Sequence, residues 1–182
     1  MSAIHSFPPV AGSHARILIL GSMPGEASLA AKQYYAHQRN AFWRIMAPLL
    51  QIQADAPYCH KLAAFQTSPF ALWDVLKSCK RTGSLDSSIE TGTQRINDFQ
   101  TFFTQHPAIT HIFFNGGKAE ACFMRYVLYQ YDYGSLQLTR LPSTSPANAR
   151  LSFEDKVKIW HDAITRALAS DALIPKTQNG NT

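Results

Sequence analysis

The chain has 182 residues, a formal net charge of +5 and an isoelectric point near 9.2. This length fits one domain with a sizeable core, and the moderate charge permits a nucleic-acid partner without the Lys/Arg runs of a nonspecific tail. No apolar run approaches the ~18 residues that span a bilayer, and no signal-peptide pattern is present at the N-terminus. We therefore expect a cytoplasmic protein with no membrane partner.

The first clear pattern is a short apolar strand that ends in a glycine loop. Residues 16–21 are predicted to be a buried strand, and the loop Gly21–Gly25 (GSMPG) follows it. Its glycines let backbone N–H groups approach a ligand, and Pro24 is well placed to begin a helix. About ten residues later, flat rings, one fixed cation and one carboxamide follow: Tyr34, Tyr35, His37, Arg39, Asn40, Phe42 and Trp43. Such a mixture suits a nucleobase that is stacked and hydrogen-bonded at its edge, with a phosphate nearby.

The remaining pattern alternates helices with strands. Residues 1–15 are expected to form an extended lead-in, and the tail after Pro175 is expected to fray. A helix, or a helix followed by a loop, is predicted at 24–36. Further helices are predicted at 40–50, 57–66, 94–105, 118–131 and 153–168, and strands at 71–76, 109–114 and 136–141. This order predicts an α/β fold, a three-layer α/β/α domain around a central, mainly parallel four-stranded sheet. We expect one domain over residues 1–182, with an ordered core at about 14–172.

The three cysteines are far apart, and none lies in a CxxC pair. Cys59, Cys79 and Cys122 are therefore expected to be reduced structural thiols, because their number and spacing suit neither a disulfide framework nor a zinc site. No metal site is expected.

Several motifs in fixed order resemble one known family. These are GSMPG, QYYAHQRNAFW, ALWDVLKSC with SLDSSI, FNGGKA and LPSTSPANA. Together they resemble the hypoxanthine-DNA (deoxyinosine) glycosylases of the uracil-DNA glycosylase superfamily, over roughly residues 16–160. The resemblance implies a uracil-DNA glycosylase-like fold and a monomer that acts on double-stranded DNA containing a deaminated base. It implies no cofactor, because superfamily members with an iron–sulfur cluster need four cysteines and this chain has three.

The resemblance also implies roles for individual residues. In the related mismatch-specific uracil-DNA glycosylases an Asn of the first loop orients the hydrolytic water, but Met23 stands there in this chain. The role passes by resemblance to Asn40, the expected catalytic residue. Tyr35 matches the ring that stacks on the flipped base, Ser22 and Met23 match backbone groups facing that base, and Asp74 aligns loosely with the base-recognition segment.

Each of these residues also has a structural explanation. Asn40 is a plausible helix N-cap, and Tyr35 could be a core aromatic. A carboxylate at Asp74 inside an apolar strand is costly unless partnered, so it is either a buried structural group or a reader of the base. His37 and Arg39 lie in the same motif, where a phosphate contact or a capping role would suit His37.

DNA contacts are expected at the pocket rim. The loop 142–149 is rich in hydroxyl and amide groups suited to phosphate oxygens, although ordinary turns use the same residues. Its candidates are Ser143, Thr144, Ser145 and Asn148. Rim cations that would add affinity and salt sensitivity are Lys77, Lys80, Arg81 and Arg150. The turn at Asn115–Gly117 could cradle phosphate, but the resemblance makes it a structural strand-to-helix turn.

The sequence thus predicts a monofunctional DNA glycosylase that flips out a deaminated base, hypoxanthine first and uracil or xanthine next, and hydrolyses its glycosidic bond. No lysine stands in these motifs as an amine nucleophile, which favours hydrolysis over a β-lyase. Two alternatives remain: a non-enzymatic protein that binds DNA lesions, and an α/β hydrolase or transferase that acts on free nucleotides.

Overall fold

A computed structural model describes residues 3–130, 134 and 136–172. The expected fraying after Pro175 concerns residues outside these ranges. Before the first long helix lie β1 (Ile4–His5), β2 (Val10–Ala11), β3 (Ile17–Gly21) and α1 (Glu26–Ala31). The middle of the chain forms α2 (Phe42–Leu50), α3 (Tyr58–Thr67), β4 (Phe70–Asp74), β5 (Leu76–Cys79), β6 (Arg95–Ile96) and α4 (Phe99–Gln105). The last elements are β7 (His111–Asn115), α5 (Gly117–Tyr126), β8 (Gln137–Leu141) and α6 (Phe153–Ala172).

The central sheet has five strands in the order β2-β4-β3-β7-β8. The four strands β4, β3, β7 and β8 are parallel, and β2 adds a short antiparallel edge next to β4. The prediction of a mainly parallel sheet is therefore confirmed. The fifth strand, β2, lies in the segment that was expected to be an extended lead-in. It was not predicted, because a strand of two residues is too short to show the alternation of a strand.

Helices cover both faces of this sheet, as the three-layer prediction requires. Every residue of β3 is buried, which is typical of a parallel strand with both faces covered. Ile17 and Ile19 pack into the core layer that includes residues of α2, α3 and α6. Leu18 and Leu20 face the opposite layer, which is formed with α4 and α5. Alternate side chains of one strand thus fill two separate cores.

One predicted strand is divided between two sheets. The apolar run 71–76 was expected to be one strand, but β4 ends at Asp74 and β5 begins two residues later in a three-stranded sheet of order β1-β5-β6. The chain therefore leaves the main sheet at Asp74, at the carboxyl ends of the parallel strands. Among the residues described, no helix is both long and apolar enough to cross a membrane.

Candidate active site

A pocket of about 150 Å³ opens at the carboxyl ends of β3, β4 and β7. This edge of a parallel sheet is where ligands usually bind. Four segments wall the pocket: the loop 21–25, residues from Tyr34 to Asn40, the segment 84–86 and the loop 143–146. A cavity of similar volume admits a molecule the size of benzene. The pocket therefore has room for an aromatic ring, and polar side chains form part of its wall.

The glycine loop fits against β4 because Gly21 has no side chain. A Cβ at this position would lie 2.4 Å from Asp74 Oδ1 and 3.1 Å from the Tyr35 hydroxyl oxygen. Beyond it, Ser22 donates a hydrogen bond of 2.6 Å to Asp86 Oδ1. The side chain of Met23 is buried in the core layer with α4 and α5. Ser22 and Met23 both line the pocket, where they were expected.

Asp74 lies on the floor of the pocket as the last residue of β4, paired with Gly21 of β3. It is only 3% exposed, and its Oδ2 atom has no hydrogen-bond partner. Burial raises the pKa of this carboxyl to about 8, the charge of Asp86 adds to the shift, and the charge of Arg81 opposes it. Asp74 is therefore mostly protonated at pH 7, so its carboxyl can donate as well as accept a hydrogen bond.

The adjacent tyrosines have different environments. Tyr34 is 3% exposed, and its hydroxyl donates to the Pro8 carbonyl at 3.1 Å. Tyr35 lines the pocket with one ring face stacked on Phe42, at 4.0 Å between centroids and 25° between planes. Its backbone has φ of 53°, a left-handed conformation in which non-glycine residues are uncommon. Strain of this kind concentrates at functional sites.

The Tyr35 hydroxyl is a second buried polar atom without a well-aligned hydrogen bond, although the Asn115 side chain lies close enough to lower its pKa slightly against the larger effect of burial. Burial raises the pKa of this phenol above its ordinary value, and the charge of Asp74 raises it further. The phenol is therefore neutral and can donate a hydrogen bond. Two orphaned polar groups thus face one small cavity, and buried groups of this kind normally have partners.

The predicted catalytic residue, Asn40, lies in the wall of this pocket together with His37. Its Oδ1 atom accepts a hydrogen bond of 3.0 Å from the backbone N–H of Phe42, the first residue of α2. The N-cap of α2 is Ala41, so the expected N-cap role of Asn40 is wrong, but this bond still fixes the Asn40 side chain in the pocket wall just before the helix. His37 is exposed, and its Nδ1 atom accepts from the backbone N–H of Arg39, which is also exposed.

The serine-rich loop is attached to the sheet through Thr144. The side-chain amide of Asn115 donates to Thr144 Oγ1 at 2.9 Å and accepts from the Thr144 backbone N–H at 2.8 Å. The Thr144 carbonyl also accepts from the N–H of Ala41, which joins this loop to the segment after Asn40. Thr144 is 1% exposed, and these bonds give it a structural role; its contact with phosphate stays a prediction. Ser143 and Ser145 do line the pocket.

A comparison with known proteins assigns the family. The profile of the uracil DNA glycosylase superfamily matches residues 8–164. The chain belongs to this superfamily. It is 34% identical over 161 residues to the hypoxanthine DNA glycosylase of Methanosarcina barkeri, which covers 88% of this chain and 97% of the relative. The hypoxanthine DNA glycosylase of Methanosarcina acetivorans is 37% identical over 149 residues, 80% of this chain and 89% of the relative.

A solved structure agrees with this assignment. The solution NMR structure of a candidate uracil DNA glycosylase from Methanosarcina acetivorans matches with a TM-score of 0.75 and 32% sequence identity. The match covers 92% of this chain and 99% of that chain. The uracil DNA glycosylase-like fold expected from the sequence motifs is therefore confirmed.

The basic residues of this superfamily member do not all lie where the sequence predicted. Lys77, Lys80 and Arg150 are exposed, but they do not line the pocket. Arg81 is 6% exposed, and its guanidinium donates to the carbonyls of Pro24 and Gly83. The expectation that Arg81 is a rim cation is therefore wrong. Its physical role is to connect the first loop to the segment after β5.

The loop around Asn148 is also held internally. The Asn148 side chain donates to the Ser143 carbonyl at 3.1 Å, and the Asn148 backbone carbonyl accepts from Lys156 Nζ at 2.7 Å. These bonds fix the shape of the loop. They give Asn148 a structural role beside its proposed contact with DNA.

Sequence reasoning missed several residues that line the pocket, among them the polar side chains of Ser28, Ser84, Asp86 and Asn115. Burial raises the pKa of Asp86, whereas its hydrogen bond from Ser22 and the charge of Arg81 lower it. Asn115 ends β7, a strand-end position that could have indicated a site residue. Ser84 and Asp86 lie in the SLDSSI motif, but the motif alone assigned them no role, because only the tertiary fold brings this segment against the first loop.

A wider groove of about 570 Å³ borders the pocket and shares Tyr35, His37 and Asn40 with it. Arg44 and Lys61 line this groove. Lys61 lies 5.3 Å from the Trp43 ring centroid, and Arg44 lies 3.7 Å from that of Phe153. These two cations were not predicted as DNA contacts, since their helices looked like ordinary core-facing helices.

Proposed function

We propose that this protein is a monofunctional DNA glycosylase that flips hypoxanthine out of double-stranded DNA and hydrolyses its glycosidic bond. Membership of the superfamily and two relatives named hypoxanthine DNA glycosylase support this proposal. The observation that carries it is the pair of orphaned groups in the pocket, Asp74 Oδ2 and the Tyr35 hydroxyl. A flat base with polar edges supplies partners for both.

The protonation state of Asp74 suits a deaminated purine. On the edge that faces the major groove, a 6-oxopurine presents two acceptors, O6 and N7. A carboxyl group with a pKa of about 8 is protonated at pH 7 and can donate to such an acceptor. Adenine instead presents an amino group beside N7. The proposed contact therefore favours a base in which deamination has replaced that amino group by an oxygen.

Base release in this proposal is a hydrolysis at C1′. The C1′–N9 bond breaks, its electron pair leaves with the base, and the sugar passes through an oxocarbenium-like state. A water oxygen then bonds to C1′. The water loses one proton and the departing purine gains one at a ring nitrogen, so the products are the free base and an abasic sugar.

Asn40 is proposed to position the attacking water. A carboxamide oxygen accepts a hydrogen bond from water without being a strong base, and this atom keeps acceptor capacity beyond its bond from Phe42. The Asn40 side chain is fixed by that bond at the first turn of α2. No lysine is present among the described residues that line the pocket, which supports hydrolysis over an amine nucleophile.

DNA is proposed to lie across the mouth of the pocket. His37 and Arg39 are exposed beside Asn40 and are proposed to contact phosphate, with Ser143 and Ser145 on the opposite wall. The adjoining groove with Arg44 and Lys61 offers a further path for the phosphate backbone. Lys77 and Lys80 are proposed only as distant cations, which add affinity and salt dependence but no base selectivity.

The test is base release from labelled duplexes that contain one inosine, uracil or xanthine. Abasic sites are cleaved with alkali, and the free base is measured separately by liquid chromatography. We expect free hypoxanthine and strand cleavage only after alkali, because a hydrolase leaves the abasic site intact. Intact strands on all substrates, with tight binding to the lesion duplex, would instead indicate a lesion-binding protein. Release of base from free inosine nucleotides but not from DNA would indicate a nucleotide enzyme.

A further inference from the structure

Asp86 is a second carboxyl group in the wall of the pocket, and the sequence motifs assigned it no role. It lines the pocket together with Asp74 and is only partly buried. Its Oδ1 atom accepts the hydrogen bond of 2.6 Å from Ser22. Among the residues that the structure describes, none donates a hydrogen bond to the other oxygen, Oδ2. One carboxylate oxygen in the pocket wall is therefore available to a ligand.

The two carboxyl groups differ in the hydrogen bonds that they can make. Asp74 keeps its proton at pH 7 and can donate. Burial raises the pKa of Asp86, but the hydrogen bond from Ser22 and the charges of Arg81 and Lys118 lower it. The charge of Asp86 also raises the pKa of Asp74, so Asp86 is the first of the pair to ionise. Asp86 is therefore the acceptor of the pair, and Asp74 is the donor.

Both carboxyl groups lie against consecutive residues of the first loop. Asp74 Oδ1 is 2.4 Å from the position that a Cβ of Gly21 would occupy, and Asp86 is bound to Ser22. Consecutive Cα atoms are only about 3.8 Å apart. The segment of Asp86 is also held by Ser84 Oγ, which accepts a hydrogen bond of 2.9 Å from the first N–H of α1. Donor and acceptor therefore stand side by side along the loop, fixed before a ligand binds.

A deaminated base presents the complementary pair, an oxo group beside a ring N–H. Hypoxanthine has O6 next to N1–H, and uracil has O4 next to N3–H. We propose that the Asp86 carboxylate accepts the hydrogen bond from this ring N–H, while Asp74 donates to the neighbouring oxo group. This inference rests on the proposed function and adds a specificity residue to it.

The proposed contact rejects bases that have a bare nitrogen at this place. Adenine N1 and cytosine N3 can only accept a hydrogen bond, so each would face the Asp86 carboxylate with both groups unpaired. A site built around a substrate N–H discriminates strongly for this reason. Guanine and thymine share the ring N–H, so Asp86 selects against adenine and cytosine only.

The test is a thermodynamic cycle between Asp86→Asn and two bases. Duplexes carry the 2′-fluoroarabino nucleotide of hypoxanthine or of unsubstituted purine, which has a bare N1. The fluorine suppresses cleavage by destabilising the oxocarbenium-like state, so dissociation constants can be measured whether or not base is released. The O6 atom that purine lacks cancels in the cycle, because both proteins lose that contact.

We expect Asp86→Asn to weaken binding of the hypoxanthine duplex about 10- to 100-fold, the range for a hydrogen bond to a charged group. Binding of the purine duplex should be unchanged or tighter, because the new amide can donate to N1. Glu90→Gln is the matched control, since it makes the same change at an exposed carboxylate outside the pocket wall, and it should bind both duplexes like the unaltered protein. Equal weakening of both duplexes by Asp86→Asn, or no weakening, would overturn the inference.

A second measurement needs no variant. Hypoxanthine labelled with ¹⁵N at N1 is placed in the uncleavable duplex opposite an abasic-site analogue, so that no base competes for its N1 proton. We expect this proton to be protected from exchange with water when the unaltered protein binds. Exchange as fast as in the free nucleotide would overturn the inference. The proposed function fails separately, if the unaltered protein releases no base from any cleavable lesion duplex.

Discussion

Replacing Asp74 by asparagine should raise the free energy of unfolding by an amount that grows with pH. The carboxyl has a pKa of 3.8 in an ordinary environment and about 8 in the fold. Between these pH values the unfolded chain has released this proton and the native protein still binds it. Stability then falls as pH rises, by about 1.4 kcal/mol per pH unit, and the loss is complete above about pH 8.

The variant Asp74→Asn removes this titration while it keeps a neutral group of similar size. The difference in unfolding free energy, variant minus unaltered protein, should therefore increase by about 3 kcal/mol between pH 5 and pH 7. Urea denaturation at pH 5, 6, 7, 8 and 9 measures it, with the slope m checked for constancy. We expect the difference to level off above about pH 8.

Asp98→Asn is the matched control. Asp98 is an exposed carboxylate that caps α4, and a hydrogen bond from the Thr101 backbone N–H lowers its pKa. Its stabilising effect is therefore complete above pH 4 to 5 and is lost only in acid, so this variant should show no pH trend between pH 5 and 8. A flat difference for Asp74→Asn over the same range would refute the assignment of a neutral Asp74.

Three further predictions concern Asp74, Gly21 and Arg81. Hypoxanthine release should fall as pH rises through about 8, because Asp74 loses its donor proton, and Asp74→Asn should abolish that fall; pH–rate profiles measure both. Gly21→Ala should cost about 1–3 kcal/mol in urea denaturation and most of the base release, because its Cβ would displace the Asp74 carboxyl. Arg81→Met should destabilise the fold by about 1.5–3 kcal/mol, because its charged hydrogen bonds to two carbonyls are lost. The salt dependence of DNA binding should stay unchanged in Arg81→Met, whereas a phosphate contact would reduce its slope by about 1.

The main sheet could be predicted because its central strands are apolar runs that end abruptly. Residues of β3 and β7 are buried on both faces, so their sequences needed no alternation, and the glycine turns that follow mark where each strand ends. The apolar stripe of α2 was also correct, since Trp43, Met46, Ala47 and Leu50 are all buried. These features depend only on local sequence, so they can be predicted without knowledge of the tertiary structure.

The errors concern features that depend on tertiary partners. Arg81 looked like a surface cation, but its guanidinium is buried and donates to the carbonyl of Gly83 and to that of Pro24 in the first loop. The break after Asp74 was invisible, because residues on both sides of it are apolar and buried although they belong to different sheets. Asp86 and Asn115 reach the pocket only through the folded positions of their loops. The first loop is distant in sequence from Arg81 and Asp86, so no local pattern identifies these contacts.

The most direct test of the proposed active site is single-turnover hypoxanthine release by Asn40→Ala on an inosine duplex, with DNA binding measured in parallel. The carboxamide is proposed to orient the attacking water, a contribution of about 10²–10⁴ in rate. We therefore predict a loss of at least about 100-fold in base release with affinity for the lesion duplex retained. An unchanged rate of release by Asn40→Ala would contradict the account.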